Sequence, residues 1–558
     1  MGVSRLLRRP GALLVGLLVA ATAAAVATAT GSVVVSQNPS PFATAGCAAV
    51  DSAQTSQVST TFNYLNSEEE PYVAVDPTDS SHLVGAWQQD RWNDGGANGL
   101  VSAYSTTGGS SWTVVPEPFT SCYGAGGLDY QRASDPWVSI GPGKPASFGC
   151  APTVKDCSTA YAIAIPFDET TRRTAVAAAV SYDLGATWTH TQTLIADPCS
   201  SVQTPGYVCN PKSFVLNDKE SITADPTKPG YAYAVWDRLV APPASPPGFF
   251  KELAYKGPAF ISRTTDYGQT WSAPQQIVST PSIDQTIGNV IVIDPANGTL
   301  YDFFTYIQNI GNGGGNRGET IGFVKSTDHG ATWSSVRTVA AEPANGVVDP
   351  NNVDPTTNTA PAPLRTGAGL PEPAVSSTGQ LYVVWEGTDP ATSTDQVYIT
   401  TSTDGGASWS TPALVDSSYT NRPAFTPAVA VSGGTVGVTY YQWDATTTSG
   451  SEPTVLYIQK STSAGSSTAA PTFGARAAVT SEFNGLAAPY SETGYFFGDY
   501  EGLTANSNGF IPFNVLTTCN DGGAGTQPSC RALNSVISPT NVTPTDNNAT
   551  DVYAVPGS

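Results

Sequence analysis

Thr264-Thr-Asp-Tyr-Gly-Gln-Thr-Trp271 is one of five copies of a single phrase, and that repetition decides the fold. The others are Ser105-Thr-Thr-Gly-Gly-Ser-Ser-Trp112, Ser181-Tyr-Asp-Leu-Gly-Ala-Thr-Trp188, Ser326-Thr-Asp-His-Gly-Ala-Thr-Trp333 and Ser402-Thr-Asp-Gly-Gly-Ala-Ser-Trp409. A worn copy begins at Ser461 and lacks both Asp and Trp. Asp in a tight turn accepts from backbone N–H groups further on, Gly supplies the left-handed backbone angle, and the hydroxyls add local bonds. The closing Trp carries a large apolar ring to bury. Each copy therefore reads as a rigid hairpin turn between two strands, and its recurrence marks an array of supersecondary units. Thr107 stands where the other copies have Asp, which predicts a looser first turn.

Working outward, a second phrase precedes most of the tryptophan turns. It runs Glu70-Pro-Tyr-Val-Ala-Val-Asp-Pro, Asp135-Pro-Trp-Val-Ser-Ile-Gly-Pro and Glu220-Ser-Ile-Thr-Ala-Asp-Pro. Asn289-Val-Ile-Val-Ile-Asp-Pro, Glu372-Pro-Ala-Val-Ser and Thr426-Pro-Ala-Val-Ala-Val follow. Alternating β-branched residues closed by Asp-Pro predict a short strand and a turn. A second strand with an aromatic end comes next, as in His82-Leu-Val-Gly-Ala-Trp87 and Tyr231-Ala-Tyr-Ala-Val-Trp236. A loop, a third strand, the tryptophan turn and a fourth strand complete a four-stranded blade. First strands start near 70, 135, 220, 289, 372, 426 and 499, so the fold class is all-β, a β-propeller of seven blades with six as the alternative. The stretch around Gln57–Asn63 is expected to close the ring beside the last blade. Radial repetition protects sheet edges.

The 558 residues divide accordingly. Residues 1–29 have the build of a secretory signal peptide: Arg5, Arg8 and Arg9, an apolar run from Gly11 to Val26, then Ala27-Thr28-Ala29 as a cleavage site. Residues 30–56 are an N-terminal arm, 57–538 the propeller, and 539–558 a flexible tail rich in Pro, Asn and Thr. Export makes the eight cysteines disulfide candidates. Local spacing suggests Cys150 with Cys157, Cys199 with Cys209 and Cys519 with Cys530, leaving Cys47 for Cys122. The net charge of −21 argues against nucleic acid and anionic membrane as partners. The reading is a secreted monomer. Only three histidines occur, so a His-based hydrolytic triad and a histidine zinc site are both excluded.

The tryptophan phrase is the Asp-box, or BNR repeat, and the chain resembles the sialidase-like β-propeller superfamily in it. Geometry puts the boxes on one face. The starts of the first strands and the exits of the second strands share the other, which collects Glu70, Asp135, Glu220, Glu372, Asp499 and Glu501, with Asp90-Arg91, Asp237-Arg238 and Glu386. Crowded carboxylates raise one another's pKa, which separates acid from base. Such a ring also suits a structural Ca²⁺, although no calcium-loop motif or other metal site stands out.

The resemblance implies a glycoside hydrolase, nominally an exo-α-sialidase. Glu372 with Tyr490 would be the nucleophile pair, Asp90 the acid/base, and Arg91, Arg238 and Arg422 the clamp on a substrate carboxylate. Tyr500 competes with Tyr490. Glu70, Asp135 and Glu220 would line the substrate site, and no cofactor is implied. The family's early Arg-Ile-Pro is replaced by Glu70-Pro71-Tyr72, which removes the first clamp arginine from its place. Two readings therefore stand beside the sialidase: a propeller glycosidase or lyase acting on another polysaccharide, and a non-catalytic glycan- or protein-binding propeller.

Overall fold

The computed structural model describes residues 31–42, 47, 63–150, 157–169, 171, 173–197, 215–240, 256–281, 284–309, 316–349, 361–443, 453–491, 494–519 and 548–558. The region read as a signal peptide lies outside them. So do Cys199, Cys209 and Cys530 of the expected disulfides. Bridges Cys47–Cys122 and Cys150–Cys157 are formed. No helix among the described residues is long and apolar enough to cross a membrane.

The chain is all-β and builds antiparallel four-stranded units from consecutive strands. Unit A comprises Asn63–Val75, Leu83–Trp92, Ala97–Ser105 and Thr113–Pro116. Unit B comprises Arg132–Pro142, Ser158–Phe167, Thr174–Ser181 and Thr189–Asp197, joined to A by the single pair Ala97↔Ala133. Units C, D, E and F begin with Val215–Ala224, Gln285–Ile293, Glu372–Val375 and Ala424–Ser432 and repeat the order. Every first strand expected near 70, 135, 220, 289, 372 and 426 is thus a strand, and the start near 499 falls just before Gly502–Asn506.

Unit G, the sheet begun by Gly502–Asn506, departs from the sequence reading. It continues through Gly509–Cys519 to Asn548–Ala554 and ends on Val33–Val34. Asn548–Ala554, within the segment 539–558 expected to be a flexible tail, is therefore a central strand of this sheet, and residues 539–547 lie outside the described residues. Val552 and Ala554 enter the core while Thr550 donates to the Glu68 backbone oxygen, so the polar composition hides an inward face. Of the stretch expected to close the ring, around Gln57–Asn63, residues 57–62 lie outside the described residues, and Asn63 opens unit A opposite Trp92.

The core lies between units. Each apolar cluster spans neighbours, as Val84 and Leu100 of A do with Val138 and Ala160 of B. Another joins F, G and A through Tyr441, Phe513 and Trp87. The tryptophan turns lock these contacts. Trp188 of unit B donates from Nε1 to the Ser102 hydroxyl of A at 2.8 Å. Trp409 of E stands edge-on to Phe303 and Phe323 of D. Within each box the predicted turn chemistry is present: Asp266 Oδ1 accepts from the Thr270 N–H at 2.9 Å, and the Gly268 N–H donates to the Thr264 hydroxyl at 2.9 Å. The first box is not looser, because the Thr107 hydroxyl accepts from the Ser111 N–H at 2.9 Å in place of a carboxylate oxygen.

Candidate active site at the starts of the inner strands

The first strands of five units share a local irregularity that makes the site. The register slips between Glu69 and Tyr72 in A, Ser134 and Trp137 in B, Asp218 and Ser221 in C, Ile287 and Val290 in D, and Phe425 and Ala428 in F. At each slip one residue takes a left-handed backbone: Glu70 (φ 53°), Asp135 (φ 55°), Lys219 (φ 45°), Gly288 (φ 75°) and Thr426 (φ 47°). A bulge of this kind bends the strand and re-aims a side chain. Four of these positions carry a side chain where glycine would cost nothing, and such strain gathers at functional sites.

The re-aimed side chains meet. The Lys219 ammonium lies 3.2 Å from Glu70 Oε1, 3.3 Å from Asp135 Oδ2 and 2.8 Å from Asp499 Oδ2. Arg365 grips Asp499 from the other side with Nε at 3.0 Å and Nη2 at 2.6 Å. Arg365 comes from a small extra sheet of Val347–Asp349, Ala362–Arg365, Gly494–Phe496 and Tyr490–Ser491. Burial opposes charge on Lys219, but the three carboxylates outweigh it and hold the ammonium protonated. Burial also raises Asp499, yet Arg365 and Lys219 bring it below the usual carboxylate range. Burial dominates at Glu70, which rises to about 7 despite Lys219.

Beside this cluster a small cavity of about 20 Å³ is lined by Trp137, Lys219, Glu220, Asn289, Glu372 and Tyr500, among others. That is room for roughly one water molecule. Glu220 and Glu372 thus come from units C and E to one void. Burial pushes Glu372 up to about 8. It also pushes Glu220 well above its ordinary value, with Asp135 adding to the shift. The aromatic wall is packed: Trp137 stacks on Tyr72 at 3.6 Å and lies 5.2 Å from Tyr500, whose hydroxyl donates to the Pro136 carbonyl.

Of the residues singled out in the sequence, Glu70 and Asp135 meet at Lys219, and Glu220 and Glu372 meet at the cavity. The others have partners of their own. Asp90 accepts from Ser40 Oγ at 2.7 Å and the Asn66 N–H at 2.8 Å, which anchors the N-terminal arm. Arg91 pairs with Glu69 at 3.2 Å and donates to Ser491 Oγ at 2.8 Å. Arg238 grips Asp197 with both terminal nitrogens. Arg422 lies 5.6 Å from the Tyr419 ring. Tyr490 stands edge-on to Tyr495. Tyr500, the competing tyrosine, is the one that lines the cavity with Glu372.

Sequence reasoning missed Lys219 and Arg365. Lys219 had a signal: it stands one residue before Glu220, and the bulge shows that it, not Glu220, is equivalent to Glu70. Arg365 had none, because its strand pairs in parallel with Gly494–Phe496, far away in sequence. Among the described residues no group of three or more His, Cys, Asp or Glu is placed to hold a metal ion. Lys219 and Arg365 neutralise the acids instead.

No curated protein matches the chain. Among solved structures, an α-L-arabinanase of Penicillium chrysogenum complexed with arabinobiose is 13% identical, with a TM-score of 0.40, covering 68% of this chain and 94% of that one. A Hadza microbial sialidase is 17% identical, with a TM-score of 0.39, covering 67% and 63%. A leech intramolecular trans-sialidase is 11% identical, with a TM-score of 0.35, covering 88% and 85%. Residues 259–359 match the family model for the BNR repeat-like domain, and with its five Asp-box turns the chain carries BNR repeats and resembles the sialidase-like superfamily.

Proposed function

We propose that the protein is an extracellular glycoside hydrolase on a seven-bladed propeller, with Glu220 and Glu372 as its acid–base pair. The blade number is supported by neighbouring inner strands, which touch in the order A, B, C, D, E, F, G and back to A. Export is supported by the two disulfides. The observation that carries the chemistry is the meeting of Glu220 and Glu372, from separate units, at one cavity between Lys219 and Tyr500. A glycosidase needs one carboxyl to protonate the leaving oxygen and one carboxylate to attack or activate water. Glu372, held up to about 8, keeps its proton at neutral pH and suits the donor. Burial raises Glu220 as well, so it serves as the base only after releasing its proton to solvent, and the positive charge that develops on the sugar then favours the ionised carboxylate.

The finer sialidase reading asks for guanidinium groups free to clamp an anion. Arg91 and Arg238 already hold Glu69 and Asp197, so the site is better matched to a glycan without a carboxylate. The test is turnover by purified protein on a panel of sialosides and neutral or amino-sugar polysaccharides. Cleavage of a non-sialoside is expected, falling by orders of magnitude in Glu372→Gln and Glu220→Gln. Affinity without turnover across the panel would replace the hydrolase with a binding propeller. Release of sialic acid would restore the sialidase.

A further inference from the structure

The walls of the axial cavity are unbalanced in hydrogen-bonding character. Apart from the acid protons of Glu220 and Glu372 and the ring N–H of Trp137, its side-chain donors are committed. Lys219 is held by three carboxylates. Ser221 Oγ donates to the Asn289 carbonyl at 2.7 Å, the Asn289 amide donates to Asp237 Oδ1 at 2.6 Å, and Tyr500 donates to Pro136. Its acceptors are not. Both carboxylate oxygens of Glu220 are buried without a hydrogen-bond partner, and so is Asn289 Oδ1, the atom left over when the amide turns to Asp237. Glu372, on the same wall, has no hydrogen bond to its carboxyl among the described residues. Glu220 is 2% exposed, and a buried carboxyl with neither oxygen paired is costly unless something arrives to pair it.

We propose that this cavity is a subsite for a protonated primary amine, so that the glycan acted on carries an unacetylated amino sugar. The amine is the group that donates several hydrogen bonds, brings a positive charge and fits a water-sized void. A carboxylate, sulfate or phosphate brings a negative charge to a wall whose cation, Lys219, is already held by three carboxylates. Trp137 and Tyr500 also line the cavity, and the Tyr500 ring already has the Lys219 ammonium 5.8 Å from its centroid. Lys219 is the one opposing charge lining the cavity, and Glu70, Asp135 and Asp499 surround it; Asp218 adds a further acid on the same strand. The second half of the proposal rests on the hydrolase reading; the first half does not.

Calorimetric titration separates the two. Glucosamine and its β-1,4 oligomers are compared with the N-acetylated forms, glucose and N-acetylneuraminic acid. The amine is expected to bind at least tenfold tighter than its N-acetyl counterpart. Binding should release a proton, seen as a heat that depends on the buffer's ionisation enthalpy, because Glu220 must ionise to pair with it. Glu220→Gln should lose both the preference and the proton. If that variant does not fold, the wild-type comparison decides alone. Equal affinity for acetylated or neutral sugars, tighter binding of sialic acid, or no amine binding at about 10 mM overturns the subsite. Cleavage of neutral glycans without amine preference overturns the subsite and leaves the hydrolase. Amine binding with no cleavage of any glycan does the reverse.

Discussion

At the scale of the residue, burial decides what each repeated side chain contributes. Trp188 is 6% exposed and hydrogen-bonded to the neighbouring unit, whereas Trp271 is only half-buried. Trp188→Ala should therefore cost ~3–5 kcal/mol in urea unfolding, as loss of a buried aromatic does, and Trp271→Ala distinctly less. Equal losses would show that the box tryptophans are interchangeable. Lys219 is a different case, since its value lies in charge. Lys219→Met leaves Glu70, Asp135 and Asp499 crowded without their shared cation, and removing one partner of a buried pair costs ~3–5 kcal/mol. Lys219→Arg should recover part of that loss. A methionine variant as stable as the parent would mean that the acids simply take up protons.

At the scale of the element, the box turn explains why the fold was legible from sequence. Gly268 has φ 76°, and an added Cβ would sit 2.3 Å from Val180 Cγ1 of the preceding unit. Gly268→Ala should therefore destabilise by ~1–3 kcal/mol, through strain and overpacking together, read as a lower urea midpoint. An unchanged midpoint would show that unit B yields locally. Turn chemistry and two-residue alternation are local signals, so the inner strands could be found from Glu70-Pro to Thr426-Pro. The site was half legible for the same reason. Its acids stand at strand starts and announce themselves, but a bulge adds one residue without a mark in the sequence. That shift put Glu220 where Lys219 belongs. Arg365 acts through a parallel pairing, Leu364↔Tyr495, that no local pattern encodes. Arg91 and Arg238, expected as part of a clamp, were legible as residue types, while their partners Glu69 and Asp197 are set by packing.

At the scale of the whole molecule, the C-terminal strand and the buried acids govern stability in different ways. Unit G contains Asn548–Ala554, which pairs with both Gly509–Cys519 and Val33–Val34. Removing residues 548–558 should thus abolish the cooperative thermal transition rather than trim a loose end; a truncated chain melting like the parent would contradict that placement. The second consequence is an asymmetric pH dependence. Burial raises Glu117, Asp237, Glu342, Glu372 and Glu386 each to about 8, well above the unfolded carboxyl range. A group raised on folding binds more protons in the native state, so its stabilising contribution is full below about pH 4.5 and is lost as pH rises through about 8. Asp499 and the box residue Asp404 have the opposite sign. Burial raises Asp499, but Arg365 and Lys219 more than offset it. The Ser408 hydroxyl and N–H hold Asp404 down to about 2. Their contribution is present above about pH 4 and lost as pH falls through those low values. The two trends leave an optimum in mild acid. The thermal midpoint should therefore be higher at pH 5 than at pH 9 and should also fall below pH 3. A midpoint that is flat or rises from pH 5 to pH 9 would mean that the buried carboxyls ionise freely, and the proton donor assigned to Glu372 would fall with it.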